Sequence, residues 1–447
     1  MRIAAYLREP RIERETEARR REYAGDWDEA SRKAFQLETF NNLWRGYRER
    51  IPFYRELVES GQAPETFNSW EQFADVMPVV DRPLVQSRLP DLTDPSQPPD
   101  KHFVTGGSTT EPVSIPGWKH EVDLVEPNRW YGRDFYGIRP SDKMFMIWGH
   151  RHLLGTGLQF QINWRLRLLK DRLLGYERHN AYKLNKEAAR HAADRIATFK
   201  PGYVLGYSSS LELLGRANEG RTDLRDLGIK CSVGCAEPFP SELGPEKIST
   251  LLNAPSAMEY GSIEAGIVAH THPDGGYRVF WRTYMIEATH DGPGGGKQIY
   301  LTSLTPRCFP MVRYAIGDEI KPTPGEPAIG PARWEYVIGR ANAYLEFPSG
   351  EQIHSVGIAH CIDPETALHR FQIIDRHGAA TIRLVAPDIP ADERKAIEGR
   401  IYQRLHNLNP ILDDTPIEWV EQLFETRAGK VPIVVSQKKI EAETSGT

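Results

Sequence analysis

Cysteine is scarce in this chain, with four residues in 447: Cys231, Cys235, Cys308 and Cys361. None form a C-x-x-C pair, and their spacing is not that of a secreted disulfide framework. Buried, idle thiols are the ordinary reading in a reducing compartment. Long uncharged apolar runs are missing too, which excludes an evident membrane span. The first residues, MRIAAYLREPRIERETEARRREY, are charged where a secretory leader needs an apolar stretch. There is no basic excess either. Lysine and arginine total 56 against 61 acidic residues, a net charge of −5. That balance speaks against a general nucleic-acid or membrane-surface binder. No internal repeat and no low-complexity tract is visible. A cytoplasmic protein without a nucleic-acid or membrane partner is therefore expected. What is present is ordinary globular material, 40% apolar and 26% charged. The length suggests two or three domains, with a core large enough to need no disulfide or metal staple.

Residues 1 to about 60 read as helices, with Phe35, Leu37, Phe40, Leu43 and Tyr47 at roughly helical spacing. DLTDPSQPPD (91–100) reads as a surface loop. HFVTGGSTT then starts as an extended segment and breaks into small residues. From 141 onward short apolar runs alternate with helical patterns. FMIWG predicts a buried strand and NKEAARHAADRIATFKPG a helix stopped by Pro201 and Gly202. YVLGY predicts the next strand and SSSLELLGRANEG the next helix. This alternation predicts an α/β domain with largely parallel strands. After about 275 the segments RVFWRTYMIEAT, KQIYLTSLT and MVRYAIGDEI are strand-like and separated by Gly/Pro turns. The last hundred residues predict a compact α+β unit. FQIIDR and ATIRLVAP are its strands, and RKAIEGRIYQRLHNLNP is a helix with Ile397, Ile401 and Leu405 on one face. The boundary falls within VIGRANAYLEF, giving domains 1–339 and 340–447.

Five short motifs carry chemistry, the second of them in two parts. Thr105-Gly106-Gly107-Ser108-Thr109-Thr110-Glu111-Pro112 concentrates glycines and hydroxyls, which suits an anion. It lacks the spacing of a Walker loop and equally fits an ordinary surface turn. Cys235-Ala236-Glu237-Pro238 precedes Glu259-Tyr260-Gly261-Ser262-Ile263-Glu264 by about twenty residues. There Tyr260 can stack on a base, Ser262 can touch a phosphate and Glu264 can hold Mg²⁺. The alternative is a strand end with a solvated glutamate. Asp318, after Gly317, can accept from a ribose diol or simply close a turn. Gly339-Arg340-Ala341-Asn342 lies at the proposed boundary, and Thr426-Arg427-Ala428-Gly429-Lys430 near the C-terminus.

In this order and spacing, the five motifs resemble the adenylate-forming superfamily of acyl-CoA synthetases and adenylation domains. IPFYREL, GYSSSLELL, LTSLTPRCFPMVRYAIGDEI and TRAGKVPIVVS look like its phenylacetate–CoA ligase branch with the CapK-like relatives. The resemblance spans about 40 to 440. It implies an α/β fold, a large N-terminal adenylation domain of layered sheets and helices with a small, mobile C-terminal α+β domain. It implies ATP and Mg²⁺, and coenzyme A as one acceptor. Thr105, Ser108 and Thr109 would clamp the ATP phosphates, and Ala236 and Glu237 would line the adenine pocket. Tyr260 and Gly261 would meet the adenine, Ser262 the α-phosphate and Glu264 the Mg²⁺. Asp318 and Arg340 would hold the ribose or a phosphate, and Asn342 would sit at the domain hinge. Lys430 would meet the carboxylate and the α-phosphate. A homodimer is a further implication.

The chain departs from the branch at Thr110 and Glu111, where a Gly and a Lys are usual. A carboxylate beside a triphosphate path raises a second reading, a degenerate homologue that binds nucleotide or acyl-AMP without turnover. The implied acyl pocket draws on Trp148, His150, His152 and Tyr207, which fit an aromatic acid and equally fit a core tryptophan beside surface histidines. The acceptor is coenzyme A, an amine or a carrier-protein thiol acting in trans. His270, His272 and Cys308 raise the question of zinc, although their spacing matches no closed zinc motif.

Overall fold

A computed structural model describes residues 3–444 except 26, 105–113, 149–156, 182–183, 185, 240, 293–294, 341–343, 349–351, 355–357, 359–360, 363, 366, 377, 387–388, 426–430 and 432. Two compact units divide the chain. The first joins 1–7, 141–257 and 342–447, and the second joins 8–140 and 258–341.

In the first unit the alternation seen in the sequence becomes a parallel sheet. Its strands lie in the order Ser232–Cys235, Tyr203–Tyr207, Met144–Ile147, Tyr176–His179. YVLGY is buried at every position but the last, as expected of a strand covered on both faces. The helices Lys186–Phe199, Ser208–Ala217 and Gly244–Leu252 supply aliphatic and alanine contacts: Ala189, Ala192, Ala193, Ile196, Leu211, Leu214 and Ile248. Gly215 sets the closeness of one pair. A Cβ there would stand 2.7 Å from the backbone of Lys247.

Residues 370–436 of this unit carry a four-stranded sheet, ordered Ile417–Trp419, Ala380–Val385, Arg370–Asp375, Val434–Ser436. The central pair is antiparallel and the outer two are parallel to their neighbours. The helix Ala391–Leu408 presents Ile397, Ile401 and Leu405, all fully buried, as the apolar stripe required.

The second unit is antiparallel. Its strands run Tyr284–Glu287, Lys297–Ser303, Tyr314–Pro322, Arg333–Arg340, Tyr277–Val279, Gly266–Thr271, Ser256–Ser262, the last entering from the first unit at Met258. RVFWRTYMIEAT is two strands, not one. Residues 280–283 turn, with Thr283 and Tyr284 both donating to the Phe280 carbonyl. The N-terminal segment is helical as expected: Ile3–Tyr23, Glu29–Arg50 and Pro52–Glu59. Asp28 caps the second of these by accepting from Ser31 N–H at 2.7 Å. Phe40, Trp44, Tyr54, Phe67, Trp70 and Phe73 pack ring on ring with centroids 5.1–6.0 Å apart.

Residues 149–156, which include His150 and His152, lie outside the described residues. Gly157–Leu174 is an 18-residue helix. No described helix is long and apolar enough to cross a membrane.

Candidate active site

In the second unit the strand Ser256–Ser262 turns sharply into Gly266–Thr271. Gly261 is forced by this turn, because a Cβ would lie 2.0 Å from the Gly266 carbonyl oxygen. Four of the predicted groups lie on this turn or are bonded to it. Tyr260 is buried, and its hydroxyl donates to Asp318 Oδ2 at 2.8 Å. Its ring stands edge-on to Trp334, 5.6 Å between centroids. Ser262 Oγ accepts from Ala265 N–H at 3.1 Å, which closes the turn. Glu264 is 7% exposed, and its Oε1 accepts from the Tyr314 hydroxyl at 3.3 Å. It has no ion pair with a described cation. Asp318 lies opposite Arg340 in the ladder between their two strands, so the backbone brings this pair together.

Two residues that the sequence reading passed over hold these groups. Arg307 is 2% exposed. Its guanidinium donates to the carbonyls of Glu264 and Ala265 at 2.8 and 2.9 Å, to Ser303 Oγ at 2.9 Å and to the Tyr284 hydroxyl at 3.2 Å. Glu121 Oε2 stands 3.6 Å away as its counter-ion. One planar fork thus fixes the backbone under Glu264. Arg313 has a left-handed backbone, φ +50, and is buried. Its Nε donates to Glu287 at 3.1 Å and its Nη1 to the Met77 carbonyl at 2.5 Å. It anchors the start of the Asp318 strand. Burial raises the Glu287 carboxyl above its usual range despite Arg313. The signal available in the sequence was an arginine within an apolar run, PRCFPMVRY.

Beside Tyr260, Glu259 and Arg133 form a buried pair at 2.6 Å. Burial pushes the Glu259 carboxyl up, but Arg133, Arg129 and His270 outweigh it and hold it low. Burial lowers the His270 imidazole, opposed by Glu259. Among the described residues, no group of three or more His, Cys, Asp or Glu is placed to hold a metal.

In the first unit, a second set lies just beyond the C-terminal ends of the parallel strands, where ligands of open α/β sheets collect. Trp148 follows Met144–Ile147 and stacks on Tyr207 with centroids 4.5 Å apart. Ala236 follows Ser232–Cys235 with a left-handed φ of +70. Glu237 caps the helix Ser208–Ala217. Its Oε1 accepts from Ser209 N–H at 3.1 Å and from Ser209 Oγ, and its carbonyl accepts from Ser208 Oγ at 2.8 Å. Arg370, in the four-stranded sheet, feels the Glu237 charge. Burial still lowers its pKa. Its one described hydrogen bond reaches the Ala181 carbonyl at 3.4 Å. A cavity of about 300 Å³, lined in part by Ser209, Arg216, Glu365 and Arg370, lies within this unit.

Thr105, Ser108, Thr109, His150, Asn342 and Lys430 lie outside the described residues. The strands Lys101–Val104 and Ser114–Gly117, which flank the Thr105 segment, pair antiparallel with Val104 opposite Ser114.

No protein-family profile matches the chain. A 2-hydroxyisobutyryl-CoA ligase in the postadenylation state, in complex with 2-HIB-AMP, superposes with a TM-score of 0.67. The match covers 93% of this chain and 92% of that one at 16% identity. This is the fold of a CoA ligase that binds an acyl-adenylate. An anthranilate CoA ligase in complex with anthranoyl-AMP matches over 74% of this chain and 65% of its own, at 17% identity and a TM-score of 0.50. In sequence, a fumarate–(S)-2,3-diaminopropanoate ligase from Enterobacter agglomerans is 28% identical over 153 residues. That stretch is 32% of this chain and 39% of the relative's length.

Proposed function

We propose that this protein activates a carboxylic acid with ATP and then passes the acyl group to a second nucleophile. The observation that carries the reading is the cluster of Tyr260, Ser262, Glu264 and Asp318 on a fold shared with acyl-AMP-binding ligases. In the first half-reaction a carboxylate oxygen attacks the α-phosphorus of ATP. The bond to the leaving pyrophosphate breaks and an acyl-adenylate forms. In the second, the acceptor's sulfur or nitrogen attacks the acyl carbon, AMP leaves, and the acceptor's proton passes to solvent.

In this reading Tyr260 meets the adenine, Ala236 and Glu237 line its pocket, and Asp318 and Arg340 take the ribose or a phosphate. The hydrogen bond from Tyr260 holds Asp318 in place before nucleotide arrives. Thr105, Ser108 and Thr109 clamp the phosphates. Glu264 would hold Mg²⁺, which fits a buried carboxylate without a described counter-ion, since Mg²⁺ takes one or two carboxylates plus substrate phosphate oxygens. Bound there, the ion would offset phosphate charge. Lys430 draws together the two anions that must react, Asn342 is the hinge that removes it afterwards, and Trp148, His150 and Tyr207 wall the acid. The acid is aromatic in this proposal. The acceptor is coenzyme A, as the names of the structural relatives suggest, or an amine, as the diaminopropanoate in the name of the sequence relative suggests. The phenylacetate–CoA ligase branch, a cytoplasmic site of action and a homodimer belong to the same proposal.

The test is pyrophosphate release with ATP and Mg²⁺ across aromatic, heteroaromatic and aliphatic acids, with and without coenzyme A and simple amines. Acid-dependent release is expected, lowered about 10²–10³-fold in Lys430→Ala. Thermal stabilisation by AMP without release under any acid would replace this reading with the non-turnover binder that Thr110 and Glu111 suggest.

A further inference from the structure

The helix Gly157–Leu174 exposes large aliphatic side chains at a fixed spacing. Ile162, Leu166, Leu169 and Leu173 are 59%, 59%, 56% and 37% exposed. Steps of four, three and four residues are those of the a and d positions of a heptad. In that frame the adjoining g positions are Arg165 and Arg172, and an e position is Lys170, all exposed. Trp164 and Asp171 fall at f, the position farthest from the seam. Asp171 is buried and bound to Arg178 at 2.6 Å. Asp171 is the helix's sole acidic residue, so the exposed face carries cations only. An apolar a/d stripe flanked by cations is thus exposed on a helix whose far side is packed at Asp171 and Leu174.

We propose that this face docks an acidic amphipathic helix of a partner protein, with apolar residues at its own a and d positions and Glu or Asp at e and g. Charge selects this occupant. A second copy of the chain would set Arg165 and Arg172 against the same arginines in an antiparallel pairing, or against Lys170 in a parallel one, and both repel. An anionic lipid surface needs a broad uncharged arc. Here Arg165 and Arg172 project between Leu169 on one side and Leu168, 49% exposed, on the other. The exposed seam is also short. From Ile162 to Leu173 it spans three turns, roughly 16 Å at the helical rise. Two isolated helices of that length do not hold together, so the partner helix belongs to a protein that holds it folded.

The probe is a fluorescent peptide of about four heptads, held helical by lactam bridges between its b and f positions, with Leu at a and d and Glu at e and g, whose own like charges keep it single. Anisotropy with the full chain is expected to show saturable binding, weakened about tenfold or more between low and high salt. Leu166→Glu with Leu169→Glu should abolish it without changing the melting temperature, since both sites face solvent. Arg165→Glu with Arg172→Glu should transfer binding to the matching peptide with Lys at e and g. The proposal is overturned if the acidic peptide does not bind, if the wild type binds both peptides alike, or if the leucine variant still binds. It is equally overturned if phosphatidylglycerol vesicles or a self-dimer, seen by sedimentation and lost in the leucine variant, take the face instead.

Discussion

The antiparallel unit and the parallel-stranded unit are held together by different materials. Around Phe40, Trp44, Trp70 and Phe73 the antiparallel unit packs rings against rings. Around Ala189, Ala192, Ala193 and Leu211 the other packs methyls. The candidate groups follow suit. In the ring-packed unit they are fixed by buried side chains with polar heads, Arg307 beneath Glu264 and Tyr260 beside Asp318. In the methyl-packed unit they are fixed by the backbone, with Ala236 in a left-handed turn and Glu237 on a helix end. Side-chain clamps fail by truncation, whereas close-packed helices fail by enlargement.

Arg307 offers the most severe break. Arg307→Met strips buried Glu121 of its counter-ion and takes one donor each from two carbonyls and Ser303, and should cost about 3–5 kcal/mol in denaturant unfolding. The contrasting Arg370→Met removes a guanidinium whose charge is disfavoured by burial, so a change within about 1 kcal/mol is expected. Equal losses would erase the distinction between a hub and a spectator.

Size changes come next. Trp70→Ala should cost about 3–5 kcal/mol, while in the methyl-packed unit the addition of one carbon, Gly215→Ala, should cost about 1–3 kcal/mol against the Lys247 backbone. Gly399→Ala, on a helix face with nothing within 4 Å, should instead gain up to about 1 kcal/mol. Thermal melts of the three variants check the order.

Acid should find the antiparallel unit through His270. Its folded pKa is lowered from 6.5, so the unfolded chain takes up the proton first. Its contribution is complete above about pH 6.5 and is lost as pH falls from there toward the folded value. Glu259, also lowered, contributes above 4.5 and is lost below it. Urea midpoints for wild type and His270→Gln should therefore converge as pH drops from 7 to 5. Parallel curves would remove His270 from the account. Within the site, Tyr260→Phe removes one hydrogen bond and should cost about 0.5–1.5 kcal/mol, with a raised KM for ATP if Asp318 binds ribose.

The sequence makes local pattern visible and leaves tertiary grip invisible. YVLGY, the helix Lys186–Phe199 and the Ile397–Ile401–Leu405 stripe follow from periodicity alone. Tyr260 and Asp318 were nominated from short motifs, and the structure joins them by one hydrogen bond. Arg307 was not nominated, because its partners are carbonyls some forty residues upstream and a lone arginine after proline reads as solvated. The helix Gly157–Leu174 escaped because Leu166, Leu168, Leu169 and Leu173 face solvent and are no guide to a core. RVFWRTYMIEAT looked continuous, and only the hydrogen bonds to Phe280 divide it.

Glu237 carries one more implication. Its carboxylate already accepts from the Ser209 amide and hydroxyl at the start of the Ser208–Ala217 helix, so a nucleotide claiming that oxygen would fray the helix start. Occupancy of the pocket would then be written into hydrogen exchange, with the Ser209 amide trading deuterium faster when AMP is bound than when it is absent.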